Sequence, residues 1–379
     1  MRIAIVTESF PPDVNGVAHS VVRTAEHLVA RGHEPIVIAP APPGARRRPA
    51  DRLPYPVVRI PSMPLPRYQG FRLGMPSARL SDALLGHAPD VVHLASPFVL
   101  GARAATLAQR HALPTVAVYQ TDVASYARAY RVGWGEAAAW RRLAEIHNSA
   151  QRTLAPSTRA AADLIANGVR RIWLWGRGVD AERFRPDKRC AVLRRSLAPG
   201  GEVLVGYVGR LAPEKRVDLL EATSRLPGVR VVVAGDGPAR RQLERSLPGV
   251  NFLGVQHGEG LARLYASLDV FVHTGPHETF GQTVQEAAAS GLAVVAPASG
   301  GPVDLVEPGV TGLLVPPGDP TALADAVAGL AADADLRVAY GAAARRAVSR
   351  RSWTAVGDEL IGHYEAVLSG VPATGLTAA

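Results

Sequence analysis

At 379 residues with a single cysteine, Cys190, the chain is long enough for two cores of ordinary size and holds no intrachain disulfide. It has no apolar run near the roughly 18 residues that cross a bilayer and no signal-like head before its first apolar stretch, so a cytoplasmic protein is expected, peripheral at most on a membrane. The net charge of +9 is uneven, with 22 arginines against 12 acids in residues 1–180 and 20 basic residues against 21 acids in 181–379; this suits an acidic lipid surface or a coding bias toward arginine, while the scattering of basic residues argues against nucleic acid.

In chain order, Ile3–Thr7 has the composition of a strand and Val17–Ala30 the period of a helix. Pro35–Ala39 follows as a strand, and Pro40 to Pro66 is a Pro- and Arg-rich surface loop containing one short strand, Val57–Ile60. Val91–Leu94 leads to helix Leu100–His111, and Thr115–Tyr119 to a helical stretch reaching Thr153. The alternation restarts with strands Val203–Val208, Arg230–Ala234, Val250–Leu253, Val270–His273, Ala293–Ala296 and Gly312–Val315. Helical segments Val217–Leu226, Ala239–Ser246, Gly260–Ala266 and Thr283–Ser290 separate them. This is the pattern of two α/β domains with parallel sheets, 1–182 and 183–352, followed by a helix over 353–369 and a disordered tail over 370–379.

Chemistry gathers where strands end. The loop after Ile3–Thr7 closes on Gly16 at a helix N-terminus, where a glycine lets backbone approach a phosphate or sugar; a plain turn glycine is the alternative. No G-x-G-x-x-G follows that strand, so nicotinamide chemistry is set aside. After Val203–Val208 come Arg210 and Lys215, a planar fork and a compact charge suited to a departing diphosphate; Lys215 is one of only two lysines, with Lys188. After Val270–His273, Glu278 lies in a loop and Glu286 on the next helix. The carboxylates could take hydroxyls on either side of a phosphate held by the amides of Phe280 and Gly281, which is the layout of a nucleotide sugar. His273, His277 and Glu278 straddle a strand end and a turn, poor geometry for zinc, so no metal is expected. Gln120 and Asp122 end a strand and could contact a sugar, or be loop polarity. The aromatics and arginines from Tyr126 to Arg142 fit a membrane-lying helix, or an ordinary helix with its aromatics turned inward.

These pieces resemble glycosyltransferase family 4, retaining enzymes of the two-Rossmann GT-B fold. The resemblance is carried by the Gly16 loop, Gly209-Arg210-Leu-x-x-Glu-Lys215, Glu278-x7-Glu286 with Phe280-Gly281, and Gly300-Gly301-x-x-Asp304 before Gly309-x-x-Gly312. The opening Glu8-Ser-Phe-x-Pro-x-Val-Asn15-Gly16 and the Tyr-Gln-Thr-Asp122 segment look most like bacterial GDP-mannose-dependent α-mannosyltransferases that glycosylate lipids. The resemblance implies that Arg210 and Lys215 hold the donor diphosphate, with Asn15 and Gly16 approaching from the first domain. It implies that Glu278, Thr279, Phe280 and Gly281 hold the sugar, Glu286 the ribose, and Val255 and Gln256 lie near the base. Many members have histidine where this chain has Gln120, whose amide supplies only a dipole. Mannose transfer from GDP-mannose to a lipid or glycolipid acceptor, such as a phosphatidylinositol mannoside or glucuronosyl diacylglycerol, is expected, with no cofactor and no metal. The alternatives are a UDP-sugar transferase of the same fold, for example of N-acetylglucosamine, and an inactive nucleotide-sugar-binding protein. The last helix is expected to return to the first domain.

Overall fold

The computed structural model describes residues 1–13, 15–43, 53–64, 72–75, 77–96, 99–120, 136–370 and 375–376. Two compact units result, one of 1–177 with 353–379 and one of 178–352. The division falls after Arg177 rather than after residue 182. The physical reason is that Val179 donates its amide to Arg351 O (2.8 Å) and bridges Ser352, tying this segment to the second unit.

The first unit holds β1 (Arg2–Val6), β2 (Glu34–Pro40), β3 (Val57–Ile60), β4 (Ser62–Pro64), β5 (Arg72–Gly74), β6 (Val91–Leu94), β7 (Thr115–Val118), β8 (Arg152–Ala155) and β9 (Ile172–Leu174). Seven of these form one parallel sheet in the order β3-β2-β1-β6-β7-β8-β9, and β4 and β5 form a separate antiparallel pair. Ile3, Ala4, Ile5 and Val6 are all fully buried, and Ile3 and Ala4 belong to different apolar clusters. Both faces of the sheet are therefore covered, as parallel sheets require.

Three features depart from the sequence expectation. Of the helical stretch expected up to Thr153, residues 121–135 lie outside the described residues, Glu136–Ser149 is a helix, and its end is strand β8 instead, because Arg152–Ala155 is short, buried and paired with β7. Strand β9 and the β4–β5 pair, each of three residues, are too short to show a period. The tail is also partly placed: Leu376 donates to Ile172 O at 2.8 Å and covers the edge strand β9.

The helix Trp353–Leu368 belongs to the first unit. Trp175 Nε1 donates to Val356 O (3.0 Å), Tyr364 Oη lies 2.7 Å from His93 Nδ1, and Asp358 accepts from Arg31. Tyr364, Leu360 and Val356 pack into the core on one face of the sheet.

In the second unit, β10 (Val203–Val208), β11 (Val229–Ala234), β12 (Asn251–Gly254), β13 (Val270–Val272), β14 (Ala293–Pro297) and β15 (Gly312–Val315) form a parallel sheet in the order β12-β11-β10-β13-β14-β15. Helices Pro320–Ala332 and Ala334–Val348 complete its cover. In each sheet the order reverses once, between β1 and β6 and between β10 and β13, and open α/β sheets bind ligands beyond the carboxyl ends of such strands.

Candidate active site

The motifs singled out in the sequence of the second unit fall on its reversal point. β10 runs into Gly209 and Arg210, then a short 3-10 turn, Pro213–Lys215, with Arg216 in the left-handed region. Thr274, two residues beyond β13, donates its hydroxyl to Lys215 O at 2.6 Å, so the two loops are tied together. Lys215 and Glu278 form an ion pair, their side chains only 16% and 21% exposed. Burial works against the lysine's charge, but Glu278, with Tyr207 and Glu214 adding to it, holds Lys215 above the ordinary lysine range. Tyr207 Oη also donates to Arg210 O (3.2 Å), fixing the backbone that presents Arg210.

The Glu278 loop is seated by the glycine pair that follows β14. Gly301 donates its amide to Glu278 O at 2.7 Å, and Gly300 has φ +64°. A Cβ on Gly300 would meet Glu278 O, and one on Gly301 would overlap the Phe280 backbone. Thus Gly300 and Gly301 place the Glu278 loop by close backbone contact. Phe280 is buried in the core, Thr279 is half-buried beside it, and Gly281, at φ +97°, opens the helix Gln282–Ala289 with no side-chain cap. That start leaves first-turn backbone amides without a side-chain cap, the arrangement that can receive an anion.

Glu286 lies one turn into this helix and accepts from Tyr265 Oη at 3.2 Å. Burial pushes its carboxyl up to about 7, against the lowering effect of Tyr265, Gln282 and Arg183. Tyr265, which the sequence did not single out, is fully buried against Phe184 and Phe271. Gln256 lies beyond the far strand β12 and donates to Leu253 O (3.0 Å), while Val255 is 50% exposed. Among the described residues no three histidine, cysteine or acidic groups converge as a metal site.

The corresponding edge of the first unit is built differently from the expectation. Asn15 caps the helix Gly16–Ala30: its Oδ1 accepts from the amides of Val17 and Ala18, both at 3.0 Å, and its Nδ2 donates to Ser9. A side chain at Gly16 would meet Arg177 Nη1 at 2.5 Å, so this glycine makes room for a buried arginine as well as for backbone approach. Arg177 donates to Gln120 Oε1 (3.1 Å), and Gln120 donates to Ala95 O (3.3 Å). The Gln120 amide is thus held between Arg177 and the Ala95 carbonyl. Asp122 and the aromatic-basic residues 126–134 lie outside the described residues; Trp140, at the end of that run, stacks inward on Tyr119.

Glu8 stands in the opening motif, but no role for it followed from the sequence. Its carboxylate is buried and accepts from the amides of Leu100 and Gly74, joining the β5 end to the helix Val99–Arg110. Burial pushes it up to about 7. Only the unusual position of an acid directly after a buried strand could have signalled it.

The family models match the two units in turn, "Glycosyltransferase Family 4" over residues 14–183 and "Glycosyl transferases group 1" over 202–333. A Mycobacterium tuberculosis protein named GDP-mannose-dependent alpha-mannosyltransferase is 52% identical over 97% of each chain. The chain belongs to glycosyltransferase family 4. This glycosyltransferase is also 42% identical, over 97% of its length and 90% of the other, to a Corynebacterium glutamicum protein of the same name. Among solved structures, the sucrose-phosphate synthase of Thermosynechococcus elongatus matches with a TM-score of 0.83 at 22% identity, covering 97% of this chain and 99% of that one. The family 4 enzyme thus has the expected GT-B fold.

Proposed function

We propose that this glycosyltransferase moves mannose from GDP-mannose, with retention at the anomeric carbon, onto a lipid or glycolipid acceptor. The observation that carries the reading is near-full-length identity of 42–52% to proteins named for GDP-mannose-dependent α-mannosyl transfer. The acceptor class is supported by a relative named sulfoquinovosyl transferase in Arabidopsis thaliana, 34% identical over 93% of this chain, and by one named as a phosphatidylinositol dimannoside mannosyltransferase.

In this reading Lys215 and Arg210 bind the diphosphate and stabilise its growing charge as the bond to the sugar breaks. Glu278 and Thr279 take hydroxyls of the transferred sugar, with the Phe280 and Gly281 amides beside them, and Glu286 takes the ribose. The acceptor hydroxyl attacks on the face the diphosphate leaves. Its proton passes to the departing diphosphate oxygen, so neither a carboxylate nucleophile nor a metal is needed. The donor must first split the Lys215–Glu278 pair: the phosphate replaces Glu278 on the lysine, and sugar hydroxyls replace the lysine on the carboxylate.

The test is transfer of radiolabelled mannose from GDP-mannose into bacterial lipid extract, with the anomeric configuration of the product read by NMR. Wild-type protein is expected to give an α-linked lipid product, and Glu278→Gln at least about 100-fold less while still folding, as circular dichroism would show. Transfer from UDP-sugars alone would overturn the donor, and full activity in Glu278→Gln would overturn the site.

A further inference from the structure

The two chains that leave β10 and β11 stay paired beyond the regular ends of those strands. Gly209, just past β10, donates its amide to Ala234 O at 3.0 Å, and Leu211 donates to Asp236 O at 2.9 Å. Ala239 returns the contact, its amide donating to Leu211 O at 3.0 Å. Arg210 sits between the first two of these bonds, and its own carbonyl accepts from Tyr207 Oη. Its backbone is therefore held on both sides and at its own oxygen. Glycines make this pairing possible. A Cβ on Gly235, which has φ +145°, would lie 1.8 Å from Gly209 O, and one on Gly237 would lie 2.2 Å from Leu211 O. Both obstacles are backbone, which cannot swing aside as the end of a side chain can. Asp236 Oδ1 accepts from the Gly237 amide at 2.7 Å and holds the turn, while Gly235 donates to Gly254 O at 2.8 Å and carries the pairing on to β12.

We propose that Gly235 and Gly237 are positioning residues, which let the exit of β11 lie flat against residues 209–211 and so hold Arg210 where it meets a nucleoside diphosphate. The inference rests on the donor reading of Arg210 given above. An arginine on a mobile loop loses part of its attraction for phosphate to the cost of ordering that loop; one whose backbone is fixed beforehand does not. It also explains why Gly235-Asp236-Gly237, to which the donor reading gives no ligand, lies with its backbone against both neighbours of Arg210.

The experiment is a double-mutant cycle read by calorimetry, with whichever of GDP and UDP binds the wild type as the probe and circular dichroism reporting folding. The four proteins are the wild type, Gly237→Ala, Arg210→Met and the double variant. Each single change is expected to weaken nucleotide binding about tenfold or more. In the Arg210→Met background, Gly237→Ala should change it by less than about threefold, because the residue it positions is gone. A purely structural role would weaken binding by the same factor in both backgrounds. That result, or unchanged binding in Gly237→Ala, overturns the proposal. Failure of both nucleotides to bind the wild type, or Arg210→Met that binds as the wild type does, overturns the donor reading beneath it. If Gly237→Ala does not fold, Asp236→Ala takes its place in the cycle, since that side chain is 53% exposed and holds the turn through the Gly237 amide. It should weaken binding about threefold beside Arg210 and by less than about 1.5-fold in Arg210→Met, and equal losses in the two backgrounds overturn the proposal.

Discussion

Lys215 and Glu278 satisfy each other before any ligand arrives, whereas Glu286 has no cationic partner within salt-bridge distance among the described residues. That contrast separates their pH behaviour. The Glu286 carboxyl titrates near 7 in the fold against an ordinary 4.5, so the fold favours its neutral form. A raised acid of this kind contributes stability that is fully present below about pH 4.5 and is lost as the pH rises toward and past 7. Glu286→Gln, a neutral mimic that still accepts from Tyr265, should melt with the wild type at pH 5. At pH 8 it should be more stable by on the order of 2 kcal/mol, allowing for partial exposure of the site. Thermal melts at the two pH values check this, and equal melting at pH 8 would show that the carboxylate is well solvated. The sequence singled out Glu278, Glu286, Arg210 and Lys215 by their placement after strands, and the structure brings Lys215 and Glu278 into contact. It could not reveal Arg177 behind Gly16, because that contact spans residues distant in the chain.

At the scale of elements, the site depends on backbone meeting backbone. The Gly300-Gly301 turn supports the Glu278 loop by a contact that leaves no room for a methyl group. Gly301→Ala should therefore displace Glu278 and reduce transfer by about 100-fold or more, while Gly329→Ala, in a helix with open space around it, should leave activity unchanged. An initial-rate assay of the two variants makes the comparison, and an active Gly301→Ala would contradict the packing argument. Strands with continuous apolar runs, such as β1, β10 and β14, were legible from sequence because both of their faces are buried. β8 was not, because Arg152 and Thr153 made it look like the end of the preceding helix; it exists through pairing with β7 and β9. Nor did the sequence distinguish Asn15 as a cap from Asn15 as a donor ligand, since both uses place an amide at the same helix start.

For the whole molecule, the excess of positive charge lies in residues 1–180, and no described helix is long and apolar enough to cross a membrane. A lipid acceptor would then be met at a surface. Vesicles containing phosphatidylglycerol should sediment the protein at low salt and release it as salt rises, with neutral phosphatidylcholine vesicles binding little. Equal binding to both vesicle types at high salt would count against an electrostatic surface. Two-domain organisation was legible because the strand and helix alternation stops and restarts near residue 182. The exact joint was not, because Val179 is assigned by a hydrogen bond to Arg351, far along the chain.

The measurement that bears most directly on this account is calorimetric titration of the purified protein with GDP and with UDP, without added metal, repeated on Lys215→Met. Preferential binding of GDP, reduced at least about tenfold in Lys215→Met, is the predicted result. Preference for UDP, or GDP binding that is indifferent to Lys215, would contradict it.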